Sequence, residues 1–444
     1  MNQIAQPLRF EEPRTSDPAP RPSIISWNLT RLCNEHCRHC YLNAGPYADR
    51  SDELSTVECL EVLAQLRSLA PGALLIFTGG EPLLRKDIYE LTRAGHEAGF
   101  TVVVGTNGIR LTAERLAQLR EAGVQGVALS LDSLRPEVHD SFRGRPGAWQ
   151  ATVASIQNLS EEGFPFVLQT TVSRANLAEL ADLVAFAADS GARTYNLYFL
   201  VPTGRGQTFT SDITPAEYES LLRDIHAWQK QYAGRLLLSA KCAPHYQRVL
   251  WEENPESPYL RAFDQGAGGC PAGMHYLGIR PNGDVTPCPY LPLYGGNLRG
   301  QSLADIWYDS DLFRQIRQRQ AMADRCGACE FRLLCGGCRA RAYGVRGDVM
   351  AEDPWCEYTP GAHGGRPIAA NGSITYGIEA DAELVWTPEA LRLLEVIPAF
   401  VRGRVRRGVE SYCRQQNEQV VTVEIMQQAR QGRGPFGLKK PWSR

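Results

Sequence analysis

Residues 23–41 read SIISWNLTRLCNEHCRHCY, a short apolar run from Ile24 to Leu29 that gives way to three cysteines within eight positions, Cys33, Cys37 and Cys40. The run is brief, rich in isoleucine and tryptophan and followed at once by polar residues, which reads as a buried strand and a loop. The i, i+4, i+7 spacing would also align the three thiols on one buried helical stripe. The intervening Asn34, Glu35, His36, Arg38 and His39 are all polar and count weakly against that. Three thiolates fall one short of the four that most iron–sulfur clusters and structural zinc sites take. His36 or His39 would complete a zinc site from within the loop, but structural zinc motifs usually come as two paired knuckles, and no second knuckle is nearby. Spacing favours a cluster over zinc and leaves its fourth position open.

Outward from this stretch, short β-rich runs alternate with helical patterns as far as about Leu200. The strand candidates are SIISWNL, ALLIFT, TVVVG, GVALSL, FVLQTTV and TYNLYFL. Amphipathic stretches separate them, among them LSTVECLEVLAQLRSLA, where Ser55 and Glu58 make a capping-box pattern. Six strand–helix repeats imply a parallel sheet with right-handed crossovers. A closed eight-fold barrel takes roughly 250 residues, so the α/β fold expected is a partial (β/α)6 TIM-like barrel. Loops after the strands of such a fold gather at one face. That face would collect the cysteine loop, GGEP (Gly79 to Pro82), TNG (Thr106 to Gly108) and SLDS (Ser130 to Ser133).

The remainder divides by composition. Residues 1–22 read as a disordered arm, 23–235 as the barrel, 236–362 as linking helices and a Cys-rich domain, and 363–385 as a linker. Residues 386–430 read as a small helical domain with Thr387 as N-cap and Pro388 at the first helical position, and 431–444 as a basic tail. With 444 residues, 43% hydrophobic and 22% charged, the chain has an ordinary globular composition. A net charge of −2 argues against a nucleic-acid partner, and no apolar run is long enough for a membrane span. The polar N-terminus carries no signal-peptide core, so a cytoplasmic location is expected. Thirteen cysteines are then unusual, because the cytosol keeps thiols reduced and disulfides rare. Apart from Cys59, Cys242 and Cys413 they fall in two groups, and short spacings of that kind favour metal over disulfides.

The pattern CxxxCxxC followed by Tyr41, with GGEP ending the next strand, resembles the signature of radical S-adenosylmethionine (SAM) enzymes. The resemblance covers about residues 23–200 and implies that Cys33, Cys37 and Cys40 hold three irons of a [4Fe–4S] cluster. The fourth iron is left for the amino and carboxylate groups of SAM, which answers for the missing ligand. In that family the reduced cluster cleaves SAM to methionine and a 5′-deoxyadenosyl radical, which takes a hydrogen atom from the substrate. The resemblance further implies that Gly79, Gly80 and Glu81 meet the amino group of SAM, with Tyr41 as a cofactor contact. Asn107, Ser130 and Asp132 are expected ribose or adenine contacts, although as single polar residues they also suit plain loop caps. The implied electron donor is reduced ferredoxin or flavodoxin.

The second group runs Cys270, Gly283, Cys288, then Cys326, Cys329, Cys335, Cys338 and Cys356. These spacings resemble the SPASM extension of radical SAM proteins, which carries auxiliary iron–sulfur clusters, although two residues instead of the usual three separate Cys335 from Cys338. The resemblance implies two auxiliary clusters, read as [4Fe–4S]. Cys326, Cys329, Cys335 and Cys356 would complete one; Cys270, Cys288 and Cys338 would hold the other, one ligand short. Cys242 in KCAPHY, another protein group or substrate would fill that place, and by itself Cys242 reads as an ordinary buried thiol. Cys59 and Cys413 read as packing residues, and a zinc ribbon is the alternative for the CxxC pairs.

Radical SAM/SPASM proteins act mainly on peptides or tetrapyrroles, and fold alone does not separate the two. WNLTRLCNEHCRHCY, KCAPHY and CPAGMHYLGIRPNGDVTPC resemble enzymes of haem d1 and alternative haem biosynthesis, which alter side chains of sirohaem-derived rings. Residues from Thr387 onward resemble a C-terminal segment of the light-independent protochlorophyllide reductase B subunit. Both imply a tetrapyrrole substrate, with a ribosomally made precursor peptide as the alternative. Tyr198, Phe199, Arg205, His245 and Tyr246 are expected near the mouth, and Arg402, Arg404, Arg406 and Arg407 as possible propionate partners or a solvated basic face.

Overall fold

A computed structural model describes residues 21–209, 212–255, 257, 259–260, 269–368 and 384–397, and 405, 406, 409, 410, 412, 413, 416, 418 and 420–432 beyond them. The arm before residue 21, most of the expected linker, Arg402, Arg404, Arg407 and the tail from residue 433 lie outside the described residues.

All six expected strands are present: β1 (Ile24–Asn28), β2 (Leu74–Thr78), β3 (Thr101–Thr106), β4 (Gly126–Ser130), β5 (Phe166–Thr171) and β6 (Thr194–Tyr198). They pair in sequence order and all in parallel, as strand–helix–strand crossovers require. Apolar side chains from both faces fill the core, with Trp27, Leu75, Phe77, Val102, Val104, Val127 and Leu197 all fully buried. The first crossover helix, α1 (Thr56–Leu69), opens on the expected capping box. The Ser55 hydroxyl accepts from Glu58 N at 3.3 Å and the Glu58 carboxylate accepts from Ser55 N at 2.7 Å. Cys59 lies on its buried face, as a packing residue should.

The sheet does not stop at the sixth strand. A further parallel strand, β7 (Leu237–Lys241), pairs with β6 and falls beyond the expected boundary at 235. The sequence LLSAK turns polar after two residues, too short a signal for the period-2 pattern. On the opposite edge β8 (Tyr276–Ile279) runs parallel to β1 and continues through antiparallel β9 (Asp284–Thr286) and β10 (Gly296–Asn297). The order is β10-β9-β8-β1-β2-β3-β4-β5-β6-β7, a ten-stranded open sheet. Cys270 precedes β8 and Cys288 follows β9, so a hairpin turned at Asn282–Gly283, with Gly283 at φ 88°, brings the two cysteines toward each other.

The C-terminal unit has its own small core. β11 (Val385–Trp386) pairs in parallel with β12 (Val420–Val421), and Trp386, Leu394, Val409, Cys413, Val421 and Met426 pack together. Thr387 caps the following helix (Pro388–Val396), its hydroxyl accepting from Ala390 N at 3.2 Å. Arg406 is paired with Glu410 at 2.8 Å and sits over the Trp386 ring, so it is not a free basic side chain.

Candidate functional site

The segment carrying Cys33, Cys37 and Cys40 is an irregular loop, not a helix, and three other segments of the chain hold it in place. Gly80 N donates to Thr30 O at 2.7 Å and Glu81 N to Leu32 O at 2.8 Å, so GGEP is stitched to the chain entering the cysteine loop. A Cβ on Gly79 would stand 2.6 Å from Thr30 O and one on Gly80 2.7 Å from the Leu32 carbonyl carbon, which accounts for both glycines. Farther along, His36 N donates to Arg143 O at 3.1 Å and Arg38 N to Phe142 O at 3.0 Å. Arg205 clamps the far end: its N–H reaches Cys40 O at 3.0 Å, Nε reaches Cys37 O at 2.8 Å and Nη2 reaches Ala44 O at 2.8 Å.

Electrostatics follow from this packing. Glu81 is fully buried, and its carboxylate accepts from Leu83 N at 3.0 Å, Thr106 Oγ1 at 2.8 Å and Asn107 N at 2.9 Å. Burial nevertheless pushes the Glu81 carboxyl up to about 7. Asn107 donates from its side-chain amide to Asn34 Oδ1 at 2.8 Å and lies 4.0 Å from Cys33 Sγ. Asp132 pairs with the buried Arg143 guanidinium at 2.6 Å and accepts from Thr171 N at 2.8 Å. Arg143 in turn lies 3.8 Å from both Glu35 Oε2 and Cys37 Sγ. Asn107 and Asp132 therefore act on the cysteine loop directly or through one neighbour, while Ser130 stands at the end of β4. Tyr41 donates to Asn28 Oδ1 at 2.6 Å.

The residues present fit an iron–sulfur cluster. Burial pushes the Cys33 thiol up to about 12 and Cys37 well above the ordinary thiol range. Desolvated thiolates of this kind need a nearby cationic centre, which iron would supply. Glu35 N donates to Cys33 Sγ at 3.4 Å, a sulfur hydrogen bond of the sort that tunes cluster potentials. His39, one of the two histidines weighed for zinc, stacks on Phe142 at 4.3 Å, and burial lowers it to about 3, which keeps it neutral.

In the second group, Cys326, Cys329, Cys335 and Cys356 line one cavity together with Arg248 and Asp353. Phe331 N and Gly337 N each donate to a sulfur at 3.4 Å, Cys329 Sγ and Cys335 Sγ respectively, and Arg339 Nη2 approaches Cys326 Sγ at 3.9 Å. Cys270 and Cys338 are buried and Cys288 half-buried, and none of the three lines that cavity. A buried ion pair, Arg341 with Asp353 at 3.0 Å, joins this region to the barrel: Arg341 donates to Leu200 O at 3.3 Å and to Cys242 O at 2.8 Å. The two regions also meet through aromatic rings. Tyr290, two residues past Cys288, packs against Tyr41 at 4.8 Å and Tyr198 at 6.2 Å.

Of the residues expected at the mouth, Tyr198 joins this aromatic wall. Phe199 and His245 are instead buried against Tyr218, with His245 Nδ1 2.8 Å from the Tyr218 hydroxyl, and Arg205 is committed to loop carbonyls. The sequence reading missed Glu35, Arg143, Arg341 and Asp353; as isolated charges they carry no motif, and only the fold gives them partners.

Family models match the first cysteine region and the second as far as residue 330. Residues 27–187 match the radical SAM superfamily, residues 270–330 the SPASM iron–sulfur cluster-binding domain, and residues 386–430 the proto-chlorophyllide reductase 57 kD subunit. The chain is 39% identical over 345 residues to the AdoMet-dependent heme synthase of Methanosarcina barkeri (strain Fusaro / DSM 804), covering 77% of this chain and 97% of that protein. It is 31% identical over 351 residues to the mycofactocin maturase MftC of Mycolicibacterium smegmatis, covering 76% and 82%. Among solved structures, Streptococcus suis SuiB bound to S-adenosylmethionine shares the fold with a TM-score of 0.62 at 19% identity, covering 76% and 78%.

Proposed function

Because the chain belongs to the radical SAM enzymes that carry a SPASM extension, we propose that it decarboxylates, cleaves or oxidises a side chain of a sirohaem-derived tetrapyrrole in haem or haem d1 biosynthesis. The observation that carries this reading is the likeness to a haem synthase along 97% of that protein's length and 77% of this chain. Cys33, Cys37 and Cys40 would ligate a [4Fe–4S] cluster. Cys326, Cys329, Cys335 and Cys356 would ligate a second, and Cys270, Cys288 and Cys338 a third. With SAM bound, a cluster at Cys33, Cys37 and Cys40 would supply the electron for reductive cleavage of that cofactor.

The chain's own residues do the positioning. The Gly80 amide is committed to Thr30 O at 2.7 Å, and the backbone carbonyls of Gly79 and Gly80 are the proposed acceptors for the SAM ammonium. Glu81 keeps acceptor capacity beside its three donors, since a carboxylate offers about four lone-pair sites. Arg143 and Arg205 hold the loop rigid by gripping it from two sides, which keeps the reacting atoms in register. Tyr41, Tyr198 and Tyr290 form an aromatic wall where the two cysteine regions meet, and its proposed role is to keep water from the reacting centre. Asn107, Ser130 and Asp132 remain the proposed ribose-side residues, Asn107 and Asp132 through the loop they brace. Reduced ferredoxin or flavodoxin is the proposed donor, and the cytoplasm the proposed compartment, where buried thiols stay reduced.

The reading predicts that anaerobic protein binds a sirohaem-derived ring with a shift of its Soret band. A second reading, a peptide maturase, is favoured by the likeness to MftC and predicts no such shift. It predicts instead a mass change on a short precursor peptide. Titration of a panel of sirohaem derivatives into the anaerobic protein separates the two.

A further inference from the structure

We propose that the Nε2–H of His245, joined by the Nε–H of Arg248, donates to sulfur of the cluster assigned to Cys326, Cys329, Cys335 and Cys356 and holds its reduction potential up. The inference rests on the reading that these four cysteines bind iron and sulfide, and it adds no ligand to their set.

Local structure brings the two donors together. The helix His245–Glu253 follows β7 after residues 242–244. The i, i+3 spacing sets His245 and Arg248 on one helical face, and both are buried, at 1% and 3% exposure. Both line the cavity that the four cysteines share, and among the described residues His245 is the one histidine there.

Hydrogen bonding then picks out the atoms. His245 Nδ1 lies 2.8 Å from the Tyr218 hydroxyl, and Tyr218 stands outside the cavity lining. Nε2, on the other edge of the ring, has no hydrogen-bond partner and faces Asp353, which does line the cavity. Asp353 Oδ2 is 3.7 Å away, beyond a hydrogen bond, and already accepts from Arg341 Nη1 at 3.0 Å and Cys338 N at 2.7 Å. That carboxylate and the thiolates of the same cavity repel a lone pair on Nε2. The ring proton therefore belongs on Nε2, and Tyr218 donates to Nδ1. Arg248 repeats the pattern. Its Nη1 donates to Glu252 Oε2 at 2.6 Å and its Nη2 to Glu219 Oε2, while Nε has no partner. Buried donors are rarely left unpaired, and a cluster on these thiolates is the acceptor this cavity offers. Phe331 N and Gly337 N already bond to Cys329 Sγ and Cys335 Sγ, so the two side chains extend a donor shell that the backbone begins.

The sign follows from charge. Reduction adds one negative charge to the cluster, and an N–H donor stabilises that form more than the oxidised one, so each donor raises the potential. A charge-assisted donor worth about tenfold in the reduced-to-oxidised ratio corresponds to about 59 mV for a one-electron couple.

The test is an anaerobic redox titration of the iron-replete full chain, read by electron paramagnetic resonance. Signals that SAM leaves unaltered belong to the auxiliary clusters. His245→Phe keeps a ring without a donor and should move one auxiliary potential down by about that amount. His245→Gln, whose amide N–H takes the place of Nε2–H, should restore most of it, which a mere packing role would not. Arg248→Lys keeps the charge without Nε–H and should shift the same signal in the same direction. Should His245→Phe lose its iron, isotopic labelling of histidine nitrogen in the parent decides. A nitrogen coupling on an auxiliary signal that His245→Gln abolishes supports the bond, and no such coupling overturns it. Unmoved auxiliary potentials in iron-replete His245→Phe, or a shift that glutamine does not reverse, would overturn the inference; an unmoved signal in Arg248→Lys would overturn the share given to Arg248. Zinc in place of auxiliary iron in the parent would overturn the underlying reading instead, which tells the two failures apart.

Discussion

Gly80→Ala should detach the cysteine loop from the sheet. The added Cβ would lie 2.7 Å from the Leu32 carbonyl carbon and nearer still to its oxygen. Carbon–carbon contact is comfortable at about 3.5–4.0 Å, so the backbone entering Cys33 must retreat by roughly 0.8 Å or more. That motion strains the Glu81 N to Leu32 O bond, now 2.8 Å, and the Gly80 N to Thr30 O bond, now 2.7 Å. Overpacking of this kind costs about 1–3 kcal/mol. The larger effect falls on metal binding, because ligand distances tolerate only about 0.2 Å. Gly300→Ala is the control, since nothing lies within 4 Å of its Cβ position. Neither glycine has a positive φ, so the pair isolates the contact itself. Urea denaturation of the iron-free chains should show the loss for Gly80→Ala and a change within about 0.5 kcal/mol for Gly300→Ala. Anaerobic reconstitution of Gly80→Ala should be short by the iron of the first cluster. Full iron and unchanged stability would refute the reasoning.

Asp353→Asn removes one partner of a buried ion pair and should destabilise the iron-free chain by about 3–5 kcal/mol, while the double variant with Arg341→Met should cost less than the sum of the singles; denaturation of all three chains checks this. The Glu330 carboxyl is held below the ordinary carboxylate range. Burial alone would raise its carboxyl, but the Tyr358 hydroxyl at 2.5 Å and the Gly361 and His363 amides outweigh burial and hold it at about 2. Its contribution is therefore complete above about pH 4.5 and lost as pH falls toward 2, worth roughly 1–2 kcal/mol once solvent screening is allowed for. Glu330→Gln should flatten that acid limb in iron-free protein, and an unchanged limb would remove the clamp from the account. A chain stopped at Ile368 should keep its full iron and its uncoupled SAM cleavage, since no proposed ligand lies beyond Cys356; loss of iron would make the C-terminal unit structural.

Much of the barrel was legible because its strands are short apolar runs set between capped helices. β1 to β6 each carry that pattern, and Ser55 with Glu58 marks a helix start by side-chain chemistry alone. β7 was not legible, because LLSAK has only two apolar residues before it turns polar. The cysteines announced metal through spacing, but spacing says nothing about which thiols meet. Cys242 lies 28 positions from Cys270 with no motif between them, and only the fold packs it in one apolar cluster with Cys288 and Cys338. The charges bracing the site were hidden for a similar reason. Arg143 reaches Asp132 and Cys37 through the turn of a helix, and Arg341 reaches Leu200 and Cys242 across a domain junction. A lone arginine in a sequence reads as a solvated side chain until its partners are known.

The central claim is that SAM cleavage at Cys33, Cys37 and Cys40 is spent on a tetrapyrrole side chain. The direct measurement is mass spectrometry of an anaerobic reaction containing SAM, dithionite and a sirohaem-derived ring, with the Cys33/Cys37/Cys40→Ala chain alongside. The account predicts 5′-deoxyadenosine together with a ring that has lost or oxidised an acetate or propionate arm, and neither product from the triple variant. Undiminished 5′-deoxyadenosine from the triple variant, or cleavage that leaves every ring unaltered across the panel, would contradict it.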